Sequence, residues 1–295
     1  MRIYILSRGA LLYSTRRIYE AAKNAHHEVL IIDHMQCDLL IQENTYQVIY
    51  NDQIILKPDI VIPRIGASVT AYGITVVRHF HDMGATVLNM AVGIYNSRDK
   101  FRSMQLMASN NIGLPITYFS HDLHQAEKIA DKILGYPFII KVIEGTQGVG
   151  VHLVKSKKEA HEMFEAFFAS RTQILLQEFI EEFKGKDLRV FVVGDKVVAS
   201  MMRVAGEGEF RSNLHRGGMG HNVELTAQEK EMAVKAVKIL GLNVAGVDIL
   251  RSKRGPLIIE VNSSPGLEGI EGVTKVKIAE EIIRFAELKH THEDL

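Results

Sequence analysis

The 295-residue sequence predicts an α/β fold, and three observations carry that expectation. In the N-terminal third, short apolar runs alternate with helix-length amphipathic segments, the pattern of a mostly parallel sheet with helices on its faces. Further along, apolar runs come in pairs around Gly194-Asp195 and around Ser252-Lys253-Arg254-Gly255, as antiparallel hairpins do. Thr226 and Glu229 form a capping box ahead of a helical stretch that Gly241 stops.

Taken in order, residues 2–6 predict a buried strand, 14–26 a helix and 28–32 a second strand. Runs at 46–50 and 54–56 flank Asn51-Asp52-Gln53 as a hairpin. A strand at 59–63, a helix at 70–83 and a strand at 86–88 complete an α/β domain over residues 1–96. A second unit, 97–181, opens with helices near 98–110 and 122–134. It continues through a strand at 137–143, a glycine loop, a strand at 151–155, a helix at 157–169 and a strand at 174–180. The third unit, 182–295, contains strands at 188–193 and 196–203 and a long glycine-rich loop at 205–222. The helix 227–240, the last hairpin, a helix near 273–288 and a frayed polar tail follow. So much glycine in one loop suits a functional or mobile segment.

Composition narrows the function classes. Lys plus Arg equals Asp plus Glu, 35 each, so no net field marks a nucleic-acid or membrane binder. Cys37 is the only cysteine, which excludes a disulfide within the chain and a cysteine-based zinc cluster. A cytoplasmic compartment fits. The apolar start at 2–6 is too short for a signal peptide, and no stretch approaches the length of a membrane span.

The final hairpin carries the sharpest chemistry. A turn centred near Arg254 sets Asp248 opposite Glu260, and strand alternation puts Glu260 and Asn262 on one face. Facing carboxylates repel. A hard divalent cation bound by Asp248, Glu260 and Asn262 removes that repulsion, since Mg²⁺ takes oxygen ligands and shares itself with phosphates. A solvent-facing acidic pair on an edge hairpin is the plainer alternative.

Three further groups point the same way, each with its own plainer reading. Lys141 leaves a strand just before Glu144-Gly145-Thr146-Gln147-Gly148-Val149-Gly150, whose bare N–H groups can fold over phosphates, or simply make a tight turn. Neither a Walker sequence nor a dinucleotide fingerprint is present. Glu178 interrupts an apolar strand, where it reads an adenine amino edge or forms an edge salt bridge. Asp187 meets a ribose hydroxyl or serves as a turn residue. Arg211, Ser212, Asn213, His215 and Arg216, with Arg203 upstream, suit an anionic transition state, because arginine offers planar bidentate donors. Otherwise they are solvated loop charges, with His215 in a loop hydrogen bond.

Together these features resemble the ATP-grasp superfamily of carboxylate–amine ligases. More narrowly, the chain is similar to the RimK-type ligases that add glutamate to the C-terminus of the sixth small-subunit ribosomal protein. The residues that carry the resemblance are Ser97-Arg98-Asp99-Lys100, Lys141 with 144–151, Glu178, 210–218, 245–251 and 260–271. Ser7-Arg8-Gly9 and 63–66 extend it over the whole chain. Ser263 stands where many relatives carry alanine, a departure that keeps a small residue.

The resemblance implies two α+β subdomains that clasp ATP between them behind the N-terminal domain. It implies phosphate contacts from Lys100, Lys141 and the loop residues Gly145, Thr146, Gln147 and Gly148. Adenine falls to Glu178 and Phe179, ribose to Asp187, and the phosphate end to Arg211, Ser212 and Asn213. Asp248, Glu260 and Asn262 hold two Mg²⁺ or Mn²⁺ ions, while Arg203 or Arg211 stabilises charge during transfer. It also implies an acyl-phosphate intermediate, L-glutamate as the amine, a ribosomal protein as acceptor, no direct nucleic-acid contact and a homo-oligomer, often a tetramer. Closure of 144–150 and 205–220 over the cleft is expected. Two alternatives share some of these motifs. One is a related ligase joining an amino acid to another peptide, carrier protein or cofactor; the other is a nucleotide-binding regulator without catalysis.

Overall fold

A computed structural model describes residues 1–143, 150–212 and 217–293. The chain starts with β1 (Arg2–Leu6), α1 (Tyr13–Asn24) and β2 (Glu28–Ile32). Residues 3–6 of β1 are all buried, as expected of a parallel strand covered on both faces rather than of an alternating edge strand. Three antiparallel strands follow, β3 (Cys37–Gln42), β4 (Thr45–Tyr50) and β5 (Gln53–Ile54). The strand β3 lies outside the sequence expectation, because Leu39-Leu40-Ile41 lacks a period of two. Its turn is nonetheless well specified: Glu43 and Asn44 both take positive φ, 50° and 64°, the geometry that two-residue hairpins require. Next come β6 (Ile60–Pro63), α2 (Thr70–Asp82) and β7 (Thr86–Val87). The first sheet runs β2-β1-β6-β7, parallel throughout.

The predicted helix at 98–110 is α4 (Lys100–Ala108), and a separate helix, α3 (Ala91–Arg98), precedes it outside the expectation. Asp99 separates the two: its backbone is extended and its carboxylate accepts the N–H groups of Phe101 and Arg102 as an N-cap. Then follow β8 (Thr117–Phe119), α5 (Leu123–Ile129), β9 (Phe138–Val142), β10 (Val151–Val154), α6 (Lys157–Ala169) and β11 (Ile174–Glu178). Their sheet has the order β10-β9-β11-β8, antiparallel.

The last sheet is antiparallel, β14-β13-β12-β15-β16. It contains β12 (Lys186–Val193), β13 (Lys196–Val204), β14 (Met219–Asn222), β15 (Val244–Ser252) and β16 (Gly255–Asn262). Three helices accompany it: α7 (Ala227–Ile239), α8 (Glu268–Thr274) and α9 (Ile278–Glu293). The strand β14 falls inside the expected loop, since Met-Gly-His-Asn has no strand-like composition. The terminal helix is displaced from 273–288 to 278–293, because Lys275 turns left-handed (φ 60°) and ends α8 first. The capping box of Thr226 and Glu229 forms as the sequence implies.

Packing crosses the divisions drawn at 96 and 181. Met104, Met107 and Ile112 lie in one core with Leu188, Val190 and Val192 of β12 and with α7. The opposite face of the last sheet, at Phe191 and Val193, shares a core with Ile3 and Ile5 of β1 and Ile282 and Ile283 of α9. Among the described residues, no helix is long and apolar enough to cross a membrane.

Candidate active site

One face of the last sheet changes character along its strands. Residues 191 and 193 of β12 are apolar and buried, whereas Asp187 and Arg189, on the same face by alternation, are charged, and Asp187 borders a cleft. Strand pairing sets Asp187 beside Arg203 of β13, Arg189 beside Asp248 of β15, and Asp248 beside Glu260 of β16. A row of charged side chains therefore crosses four strands.

The Asp248–Glu260 pair depends on a bulge. The turn centres between Lys253 and Arg254, one half-step from the expected position, and pairs Ile249 with Ile258. Regular pairing from there would set Asp248 against Ile259 and turn Glu260 toward the α7 side. Instead the register shifts beyond Ile249, so Ile259 is the extra residue and Glu260 joins Asp248. Ile258 and Val261, three apart, both enter the α7 core, while Ile259 and Glu260 both line the cleft. Bulges re-aim side chains in this way.

The two acids have different surroundings. Asp248 is only 4% exposed; its Oδ1 accepts Arg189 Nε at 2.5 Å, and its Oδ2 accepts Arg189 Nη2 and Arg203 Nη2, each at 3.0 Å. Burial alone would raise its pKa, but the two guanidiniums hold it below the ordinary aspartate value. Arg203 also grips Asp187 through Nε at 2.7 Å and Nη2 at 2.6 Å. Gly246 makes room for this packing: a Cβ there would lie 2.9 Å from Pro265 Cβ and 3.4 Å from Arg189 Cδ. Glu260, by contrast, is exposed to the cleft, and among the described residues no hydrogen bond or ion pair engages its carboxylate.

Facing Glu260 are two lysines. Lys141, on β9, is pushed down to about 8, mainly by burial and against the pull of Glu260. Lys100, the first residue of α4, donates from Nζ to the carbonyls of Val142 at 2.9 Å and Ile143 at 2.6 Å. It too lies below the ordinary lysine value through burial, offset by Glu260. Both lysines border the cleft.

At the other end lie Glu178 and Phe179. The Glu178 carboxylate accepts Ile116 N–H at 3.0 Å and Arg254 Nη1 at 2.7 Å, with Arg254 Nη2 also bonded. Arg254 holds it below the ordinary glutamate value. This carboxylate therefore ties β11 to the tip of the final hairpin. Asp187 is a strand residue, not a turn residue, and its carboxylate serves Arg203. Arg211 is braced by Glu209, through Nε at 3.0 Å and Nη2 at 2.7 Å, and reaches Val151 O of β10 at 3.4 Å from Nη1. Through it the 205–212 segment touches the glycine-loop lobe. Ser212 is buried in the cleft wall. Gly145, Thr146, Gln147, Gly148 and Asn213, with His215 and Arg216, lie outside the described residues. Arg189, Arg254 and Glu209 were not singled out from the sequence. Arg189 had a readable signal, two residues after Asp187 and so on the same strand face.

The donor set at the hairpin is all oxygen and sparse. Among the described residues, no cluster of three His, Cys, Asp or Glu could cage a metal ion. Two carboxylates and the Asn262 amide, with Glu260 in no ion pair or hydrogen bond among the described residues, fit a hard cation that keeps water and phosphate oxygens in its shell.

The RimK-like ATP-grasp domain profile matches residues 97–286, and the RimK pre-ATP-grasp domain profile matches residues 1–94. The chain belongs to the RimK-like ATP-grasp family. Relatives in this family include a probable alpha-L-glutamate ligase of Nitrosococcus oceani, 51% identical over 99% of this chain and 97% of that protein. A protein of the same name from Vibrio cholerae is 50% identical over 97% and 95%. Solved structures share the fold at lower identity. The ATP-grasp ligase PsnB, complexed with a phosphomimetic minimal precursor, Mg and ADP, superposes with a TM-score of 0.76 at 18% identity over 98% of both chains. A RimK domain ATP-grasp protein of Sphaerobacter thermophilus gives 0.72 at 19% over 97% and 100%. The RimK-like ATP-grasp fold thus accounts for the whole described architecture.

Proposed function

We propose that this ATP-dependent, peptide-forming ligase adds L-glutamate to the C-terminal carboxylate of a small-subunit ribosomal protein through an acyl phosphate. The observation that carries the reading is the opposition of Lys100 and Lys141 to Glu260 across one cleft, in a chain about half identical to proteins named probable alpha-L-glutamate ligase.

ATP lies along the cleft, its base against the Glu178–Phe179 backbone and its phosphates toward Lys141. Because Arg254 occupies the Glu178 carboxylate, main-chain groups are left to read the adenine edge. Asp248, Glu260 and Asn262 hold Mg²⁺, which supplies charge neutralisation at the phosphates. The acceptor carboxylate attacks the γ-phosphorus, giving acyl phosphate and ADP. The glutamate amine then attacks the acyl carbon, and phosphate leaves. No protein nucleophile is needed, because phosphoryl transfer relies on positioning and charge. Lys141 and Arg211 stabilise the transferring group. Arg203 acts one step back, fixing Asp187 and Asp248. Contact of Arg211 with β10 helps to keep water from the acyl phosphate.

The test is to incubate the protein with ATP, Mg²⁺ and single amino acids, with and without the ribosomal protein, and weigh the products. Serial additions of glutamate mass are expected. ADP release that modifies another acceptor instead would select the related-ligase reading, and tight ATP binding without any turnover would select the regulator.

A further inference from the structure

Arg98 follows Ser97, a residue of the cleft wall, and reaches the segment after β6, at the carboxyl ends of β1 and β6, where ligands of parallel sheets collect. Three arginines gather there around Arg64-Ile65-Gly66. Arg64 Nη2 donates to the carbonyls of Pro265 at 2.7 Å and Ser264 at 3.5 Å. Arg98 Nη2 donates to Ile65 O at 2.6 Å. Arg8 Nη2 reaches Ser68 Oγ at 3.3 Å, beside Gly66.

Among the described residues, none of the three forms an ion pair with an acidic side chain. Only neutral carbonyls and a hydroxyl receive them, although a guanidinium desolvated without an anion is unfavourable. Arg98 Nε is buried with no partner in the protein, and so are the hydroxyls of Ser263 and Ser264, in the loop that follows Asn262. Burial and the neighbouring charge of Arg98 hold Arg64 down, to about 10. Bracing the 263–265 loop explains one nitrogen of Arg64, and the Ile65 contact one of Arg98. A guanidinium carries five N–H donors in a fork that matches a carboxylate, so most remain unspent. Ser97 and Lys100, on either side of Arg98 in the sequence, line the cleft, and Ser263 directly follows Asn262, so this cluster adjoins the metal-ligand hairpin.

We propose that Arg64 and Arg98, with the hydroxyls of Ser263 and Ser264, seat the non-reacting carboxylate of a dicarboxylic amino acid, and that Arg8 guards its solvent side. The proposal rests on the ligase reading above. One amino acid then spans from the metal-ligand hairpin to the arginine seat. That carboxylate belongs either to the free incoming amino acid or to the last residue of the acceptor chain.

Initial rates of the full chain and its Arg64→Gln and Arg98→Gln variants separate these sources. In one arm the incoming amino acid is L-glutamate or L-glutamine; in the other the acceptor peptide ends in Glu or Gln. In the arm that uses the seat, the wild-type preference for acid over amide is expected to fall at least about tenfold in either variant, the worth of a charge-assisted pair. The loss should come through KM for the acid, with rates on the amide and KM for ATP changed by less than about threefold. Arg64→Lys, which keeps the charge without the fork, should recover part of the preference. Unchanged acid-to-amide ratios in both arms, in variants with the wild-type unfolding midpoint, overturn the proposal. If the wild type releases no ADP with any acidic amino acid, the ligase reading fails by itself. Calorimetric titration with L-glutamate and glutarate then decides: binding lost in both Gln variants sustains the seat, and absent or unaltered binding removes it.

Discussion

Asp248 and Glu260 face each other across β15 and β16, yet only Asp248 is neutralised by the protein, through Arg189 and Arg203. Glu260 is left with the two cleft lysines as its counter-charges. The acids differ in support: Asp248 is oriented by its two arginines, whereas Glu260 is held by no ion pair among the described residues.

Replacing Glu260 by Gln should therefore affect turnover far more than folding. A drop of about 100-fold or more in ADP release at saturating Mg²⁺ is expected, the scale of losing one charge-stabilising group in a desolvated site. The unfolding midpoint should stay within about 2 °C, as for a surface substitution. Near-normal turnover would remove Glu260 from the metal site.

Arg203→Ala should act in the opposite sense, on stability. It strands Asp187 and takes one of two partners from Asp248, so a loss of about 3 kcal/mol is expected in urea unfolding. Arg203→Lys should recover less than half, since one ammonium cannot hold Asp187 bidentately and still reach Asp248. A neutral effect of Arg203→Ala would show that the two aspartates are satisfied elsewhere.

Gly246→Ala tests the packing that positions Arg189. The added methyl meets Pro265 and presses on the Arg189 side chain. Overpacking of this kind costs about 1–3 kcal/mol, and a weaker Mg²⁺ dependence of ADP release should accompany it if Arg189 leaves Asp248.

Glu229 gives a pH-dependent test away from the cleft. It is buried, accepts Thr226 N–H and pairs with Arg251, and these partners hold its pKa below the ordinary glutamate value. A depressed carboxyl stabilises the fold above its unfolded pKa, and that contribution disappears as pH falls through the folded value. Glu229→Gln should cost about 1–2 kcal/mol at pH 7. The gap between variant and wild type should narrow below about pH 4.5, where unfolded glutamates protonate. A gap constant down to pH 3 would assign the cost to packing instead.

How much of this was readable depends on which force sets each feature. Local rules sufficed for the capping box, for the turn at Gly194 and for the apolar run of β1. The terminal acids were legible as a pair because alternation is a local rule as well. Their opposition was anticipated too, but from a turn centred half a step too far along; the bulge at Ile259 that produces it is announced by nothing in Leu257-Ile258-Ile259. Of the two readings of Asp187, a ribose contact or a turn residue beside Lys184-Gly185-Lys186, the turn is overridden by strand pairing with β13 and the arginine it brings. Glu178 was visible as an anomalous acid in an apolar strand; its partner Arg254, 76 positions later, was not. Breaks at Asp99 and Lys275 depend on single-residue backbone choices that periodicity smooths over.

The position of α9 has a consequence for synthesis. Ile282, Ile283 and Ala286 complete the core beneath Ile3, Ile5 and Ile62, and Glu287 and His290 reach His27 and Thr86. A nascent chain thus emerges with its first parallel sheet lacking a lid on one side until α9 has been made. Truncation before Ile278 would expose that sheet, whereas joining the last helix ahead of Met1 would let the amino-terminal unit close on itself as soon as it is made.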